Sequence, residues 1–242
     1  MKTFLKISGL VLLLSYAAFA AYKFMDKPAQ EVCDSTIIEI KDEGEVLFID
    51  KKEVKRLLKD DDLYPTGKTM GEINTEDIEL CLKRNNLIRK VECYKTTENK
   101  IYVEVFQKIP ILRIMSIHGN YYIDKEGKAM PVSSNYVARL PVASGFIEKR
   151  FAEHELYKIA LFLQNNTFWN AQIQQIEVLE NKDIVLIPTV GGHRIIVGKA
   201  DGFEEKLSSL LAFYQNGCNS FGWNKYKTIN LRYDKQIVCS PN

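Results

Sequence analysis

A single apolar segment near the N-terminus constrains this chain more than any other feature of its sequence. Residues 7–22 carry no charged side chain, and two lysines precede them within the first six positions. With its apolar flanks the run is about 20 residues long, enough for a helix to cross a bilayer core of ~30 Å. We therefore predict a transmembrane anchor at residues 7–24, behind a short cytoplasmic leader at residues 1–6.

The same segment also has the properties of a removable secretory signal. Its Ala18-Phe19-Ala20 triplet resembles the small-residue pattern at which signal peptides are cleaved. The basic leader keeps the N-terminus inside in both cases, although Lys23 and Lys27 weaken the charge asymmetry. Both alternatives predict that the rest of the chain lies outside the cytoplasm, and the sequence leaves the choice between them open.

Hydrophobic periodicity divides the remaining residues into a polar linker and two units. The linker spans residues 25–34. The first unit, residues 35–109, has the pattern strand, helix, helix, strand, strand, and its last strand alternates apolar and polar residues. The second unit, residues 110–242, contains many short strands separated by turn residues, with two amphipathic helices. The chain is therefore predicted to be an α+β protein.

The residues that usually carry catalysis or ligand binding do not form a recognisable site in this sequence. The three histidines, His118, His154 and His193, have no second ligand at metal-binding spacing. Residues 67–69 match the end of a phosphate-binding loop, but Asp62 stands where that motif requires glycine. The 33 basic and 31 acidic residues are balanced, so no basic surface for nucleic acid is expected. We predict no enzymatic activity, metal, cofactor, nucleic acid or small-molecule substrate.

The five cysteines are too few and too irregularly spaced for a fold built on disulfides. Cys81 and Cys93 fall on the apolar faces of a predicted helix and a predicted strand, where we expect buried free thiols. Cys218 and Cys239 can pair only if their strands are neighbours, and the sequence leaves this question open.

Three stretches of the sequence, together with the order of its parts, are similar to a known family. Residues 101–113 (IYVEVFQKIPILR) contain a Q-x-x-P exit from the first unit, and residues 121–131 (YYIDKEGKAMP) contain an x-x-D-x-x-G hairpin. Residues 229–234 (INLRYD) match a D-L-R-Y strand near the C-terminus, with Asn230 in place of the aspartate. The chain resembles the FtsQ/DivIB bacterial cell-division proteins over essentially its whole length.

The resemblance implies a fold, a place in the cell and a function. The first unit is similar to a POTRA domain, and the second is similar to the β domain of the family. Proteins of this kind are non-enzymatic, single-pass scaffolds of the cytoplasmic (inner) membrane that act at the division septum. The resemblance therefore implies recruitment of FtsB- and FtsL-type division proteins and, through them, an influence on septal peptidoglycan synthesis.

The C-terminal strand is the predicted partner-binding site, because an open sheet edge presents unpaired N–H and C=O groups to which a partner can add a strand. We predict this edge at residues 236–239, with residues 231–233 in the strand before it. Arg232 is expected to pair with a partner carboxylate and Tyr233 to provide a flat contact. Alternatively, Arg232 is an ordinary surface residue and Tyr233 packs on the core. The predicted partner-binding residues are Leu231, Arg232, Tyr233, Gln236, Ile237, Val238 and Cys239.

Two other functions stay open at the level of the sequence. A secreted or anchored POTRA-type module that assists polypeptide transport or outer-membrane assembly would share the first unit. Such proteins usually continue into a membrane barrel of many alternating strands, for which the second unit is short. The other possibility is an envelope enzyme whose site is assembled from loops.

Overall fold

The computed structural model describes residues 11–20, 30–42, 44, 46–133, 136–218, 222–233 and 236–241. Apart from the N-terminal segment, the chain falls into two compact units that are divided between Gln107 and Lys108. Both units combine helices with a β-sheet. The α+β class predicted from the sequence is therefore confirmed.

Part of the predicted membrane anchor can be described. Residues 11–20 form a helix, and its large apolar side chains are exposed. The remainder of the anchor, the leader and most of the linker lie outside the described residues. Among the helices of the described ranges, none is both long enough and apolar enough to cross a membrane.

The first unit contains two helices and a three-stranded sheet. Its elements are β1 (Ser35–Ile40), α1 (Lys51–Asp60), α2 (Thr75–Lys83), β2 (Ile88–Lys95) and β3 (Lys100–Gln107). The sheet has the order β1-β3-β2, in which β3 pairs parallel with β1 and antiparallel with β2. The strand, helix, helix, strand, strand order predicted from periodicity is the order observed.

Local sequence explains why these elements form. Ile101, Val103 and Val105 alternate along β3 and are fully buried, so one face of this strand belongs to the core. Asp50 caps α1 and Asn74 caps α2, each by accepting a hydrogen bond from a main-chain N–H in the first turn of its helix. These caps set where both helices begin.

The second unit is built on one nine-stranded sheet. Its strands are β4 (Pro110–Ser116), β5 (Gly119–Asp124), β6 (Ala129–Pro131), β7 (Val142–Gly145), β8 (Ile173–Val178), β9 (Ile184–Pro188), β10 (Arg194–Gly198), β11 (Tyr226–Asn230) and β12 (Val238–Pro241). The sheet order is β12-β11-β10-β9-β8-β7-β4-β5-β6, with parallel pairs at β10-β11, β7-β8 and β4-β7. The last strand of the chain is therefore the outermost strand at one end of the sheet.

The helices of the second unit are α3 (Lys149–Phe151), α4 (Tyr157–Asn165), α5 (Thr167–Gln172) and α6 (Phe203–Phe213). A π-helical turn, Ala152–Leu156, joins α3 to α4, and a second, Tyr214–Cys218, follows α6. The prediction of only two helices was wrong, because α5 was missed. Asn166 starts α5 by accepting a hydrogen bond from the Trp169 N–H at 3.1 Å. Six residues are too few to show a helical hydrophobic period.

Strands and helices of the second unit share one hydrophobic core. Leu163 of α4, Trp169 of α5 and Leu207 of α6 are buried in the same cluster as Ile229 of β11 and the following Leu231. The end of the sheet that carries β11 and β12 is thus attached to the core through β11 and the residue after it.

Candidate partner-binding edge

The outermost strand β12 has a single neighbour. It pairs antiparallel with β11, with Cys239 opposite Ile229 and Val238 opposite Asn230. On its other side no strand of the described residues pairs with it. An edge of this kind presents main-chain donors and acceptors to which an extended segment can bind.

The residues predicted for partner binding gather at this end of the sheet. Val238 and Cys239 lie in β12, and Gln236 and Ile237 directly precede it. Val238 is 44 % exposed, and Gln236 is also exposed. The predicted terminal strand therefore exists, shifted by two residues toward the C-terminus.

The placement of Leu231, Arg232 and Tyr233 in a strand was wrong. The preceding strand, β11, ends at Asn230. The side-chain oxygen of Asn230 accepts a hydrogen bond from the Arg232 N–H at 3.1 Å. In such a turn the main-chain N–H bonds to the asparagine side chain and not to a neighbouring strand. The turn begins at Asn230, so β11 ends there. The three residues lie in the connection between β11 and β12.

Within this connection the side chains have different environments. Leu231 is buried in the core, so it holds the connection in place and does not reach the surface. Tyr233 is 53 % exposed, which does not fit the alternative that it packs on the core. The exposed half of the ring is available to a partner, because no folded part of the described chain covers it.

A cavity of about 710 Å³ lies beside the connection. Helix α6 contributes Lys206 and Ser209 to its lining, and the connection contributes Leu231, Tyr233 and Ile237. Its walls thus combine charged, hydroxyl and apolar groups. A cavity of this size and composition can accept a side chain of a bound segment.

Ionic contacts bind Arg232 within the chain. Its Nη1 lies 3.4 Å from Oδ2 of Asp183, the residue directly before β9, and Lys199 Nζ lies 3.0 Å from Oδ1 of the same carboxylate. The hydrogen bond from Lys199 holds the pKa of Asp183 below its ordinary value, and burial opposes this. Sequence reasoning missed Asp183, whose only signal is a charged residue at the start of an apolar strand.

A buried histidine directly precedes β10, two strands from the edge. His193 is nearly inaccessible, and its Nε2 lies 2.6 Å from the Tyr214 hydroxyl oxygen. The Tyr214 ring also packs against Trp169 and Trp223, with centroids 6.1 Å and 4.9 Å away. Burial lowers the pKa of His193 because it disfavours the charged imidazolium.

Within the described ranges, no group of three or more histidine, cysteine or carboxylate side chains is placed to hold a metal ion. Cys81 and Cys93, where buried thiols were expected, are free; Cys81 is buried and Cys93 is partly buried. Cys239 is free as well, and the side chain of Cys218 lies outside the described residues, as do its possible contacts.

Comparison with protein families gives two matches. Residues 109–240, more than half of the chain, match the family described as FtsQ/DivIB, C-terminal related. Residues 31–106 match a POTRA-like domain. No curated protein matches the chain. The two matches cover nearly all residues outside the N-terminal segment.

Proposed function

Because the chain belongs to the FtsQ/DivIB-related family, we propose that it is a non-enzymatic scaffold of the bacterial divisome. In this proposal residues 7–24 anchor it in the cytoplasmic membrane by a single helix. Residues 1–6 lie inside, and the linker 25–34, the POTRA domain 35–109 and the β domain 110–242 lie outside. The protein acts at the division septum, where it recruits FtsB- and FtsL-type proteins and so influences septal peptidoglycan synthesis.

The open edge of β12 is the observation that carries the binding mechanism. A partner segment in extended conformation adds beside β12, and main-chain hydrogen bonds supply much of the affinity. Alternate side chains of the added strand then point to opposite faces of the sheet. The cavity between α6 and the connection can take one such side chain. Tyr233, half exposed at its rim, offers the aromatic contact that often dominates an interface.

Deletion of the edge tests the mechanism directly. Binding of purified residues 29–242 to the extracytoplasmic parts of the FtsB–FtsL pair from the same organism would be measured by titration calorimetry. Deletion of residues 234–242, which removes β12, should abolish binding. Binding that survives the deletion would keep the scaffold role but refute the edge mechanism, and no binding by the intact form would refute both.

The chain offers a matched pair of substitutions for the same assay. Val238 in β12 is 44 % exposed, and Val132, which directly follows β6 at the opposite end of the sheet, is 41 % exposed. Lysine on an edge strand opposes the docking of another strand. We expect Val238→Lys to weaken partner binding and Val132→Lys to leave it unchanged, since both changes add the same charge at similar exposure.

The POTRA-like match favours one other function, a module that assists polypeptide transport or outer-membrane assembly. Localisation separates the two proposals. A fluorescent fusion of a division scaffold should collect at the septum, whereas a transport module should spread around the cell envelope. N-terminal sequencing of the mature protein would distinguish a retained anchor from a cleaved signal under either function.

A further inference from the structure

Asp183 is a buried carboxylate that is shared by side chains from several parts of the chain. It is 6 % exposed, and burial of a charged group is tolerated only when it has partners. Its Oδ1 is 3.0 Å from Lys199 Nζ, which follows β10. Its Oδ2 accepts a hydrogen bond from Asn181 at 3.1 Å and lies 3.4 Å from the guanidinium of Arg232. The carboxylate therefore joins the turn before β9, the end of β10 and the connection to β12.

Arg232 makes further contacts within the chain. Its Nε lies 3.3 Å from Oδ1 of Asn230, the same atom that accepts its main-chain N–H. Its stem packs on the backbone at Gly198, where a β-carbon would lie 2.6 Å from Arg232 Cγ. Gly198 has φ of +79° and terminates β10. The direction of the Arg232 side chain is thus determined by contacts inside the chain.

These contacts hold the main chain at the start of the connection to β12. The Leu231 N–H donates to the Ile196 carbonyl oxygen at 2.8 Å, which fixes the residue before Arg232 to β10. Tyr233, the next residue, is exposed and lies in the connection that leads to β12. When Arg232 is fixed, the position from which Tyr233 extends is fixed with it.

We infer that Asp183 is a positioning residue for the partner-binding edge, which it orients by holding Arg232. This inference rests on the proposed function, namely that β12 and Tyr233 bind a division partner. It changes the role expected for Arg232, which acts through the chain's own carboxylate and not through a carboxylate of the partner.

Substitutions at both ends of the ion pair test the inference. Asp183→Asn and Arg232→Ala would be made singly and together in the full-length chain, and binding of the FtsB–FtsL pair would be measured. Each single variant should bind the pair about tenfold more weakly. A change of this size is typical of residues that affect binding without touching the ligand. The double variant should bind no more weakly than either single variant, because both remove the same interaction.

Two further variants separate positioning from a general loss of structure. Glu177→Gln removes a partly exposed carboxylate of β8 that pairs with Arg194 on the same sheet, and should not change binding. Arg232→Lys keeps a positive charge near Asp183 and should recover part of the affinity lost in Arg232→Ala. The urea midpoint of each variant shows whether the fold itself is retained.

Two results would overturn the inference. If Asp183→Asn leaves binding unchanged or strengthens it while Arg232→Ala weakens it, Arg232 contacts the partner directly and the inference is overturned. Hydrogen exchange of the free protein tests the inference without the partner. Amides of residues 231–233 and of β12 should exchange faster in Asp183→Asn, and unchanged exchange would overturn the inference. Failure of the unmodified chain to bind would count against the proposed function alone.

Discussion

Replacement of Tyr233 by alanine should weaken partner binding by roughly 50-fold. The magnitude follows from its exposure. A tyrosine contributes about 150–250 Å² of buried surface in a packed site, and 53 % of Tyr233 is exposed, so about 100 Å² remains for a partner to cover. At about 25 cal/mol per Å² this is about 2.5 kcal/mol, and each 1.4 kcal/mol is about tenfold in Kd. The free energy of unfolding should change by less than about 0.5 kcal/mol, as for most surface substitutions.

The assay is calorimetric titration of the FtsB–FtsL pair into the intact and the substituted protein. Phe146, on the turn after β7, provides the control, because its side chain is 43 % exposed in the same unit. Phe146→Ala removes a comparable aromatic surface and should leave Kd unchanged. Urea unfolding of both variants verifies that each retains its fold.

Two outcomes would refute this reasoning. A change in Kd of less than about threefold in a folded Tyr233→Ala variant would place the aromatic contact elsewhere, because it corresponds to well under 1 kcal/mol. An equal loss of affinity in the Phe146→Ala variant would mean that exposed aromatic surface in general, and not the edge beside β12, attracts the partner.

Three further predictions concern stability and reactivity. Gly145→Ala should destabilise the second unit by about 2–5 kcal/mol in urea unfolding, because φ is +105° and the new β-carbon would lie 2.2 Å from the Val178 carbonyl oxygen. Gly192→Ala is the control: its β-carbon would lie in open space, so the free energy of unfolding should fall by less than about 1 kcal/mol. The lowered pKa of His193 favours the neutral ring in the folded chain, so its contribution to stability is complete above pH 6.5. That contribution should fall as the pH drops from 6.5 through the lower folded-state pKa, and His193→Phe should remove this part of the pH dependence of the urea midpoint. Burial raises the pKa of Cys93 to about 12, so mass spectrometry should detect alkylation by iodoacetamide at pH 8 only after unfolding; rapid alkylation of the native protein would contradict the buried environment.

Local patterns in the sequence predicted most of the elements that form the site. Alternation along β3 identified its buried face, and hydrophobic periodicity identified the two helices of the first unit, because these signals depend on residues a few positions apart. The final strand was expected at residues 236–239 for the same reason, and it lies two residues further on, at Val238–Pro241. The end of β11 was missed, because the side chain of Asn230 turns the main chain in a stretch whose composition favours a strand.

The contacts of Asp183 could not be predicted from the sequence. Asp183 and Arg232 are 49 positions apart, and they meet only because β9, β10 and β11 are neighbours in the sheet. Strands β10 and β11 pair in parallel, and a helix lies between them in the chain. The sequence therefore contains no hairpin turn that would predict this pairing. A contact that depends on the order of strands in the sheet can therefore be identified only from the structure.

The two ends of the large sheet share a property that bears on self-association. The outer strand β6 has three residues and finishes at Pro131, and the outer strand β12 has four residues and finishes at Pro241. A proline has no N–H to donate to a neighbouring strand. An open-ended fibre of sheets requires one free end to dock on the other, and short strands that end in proline oppose such head-to-tail growth. A symmetric pair of copies through β12 would cover the edge to which the proposed partner adds, so under the proposed function the monomer is the form that can bind it.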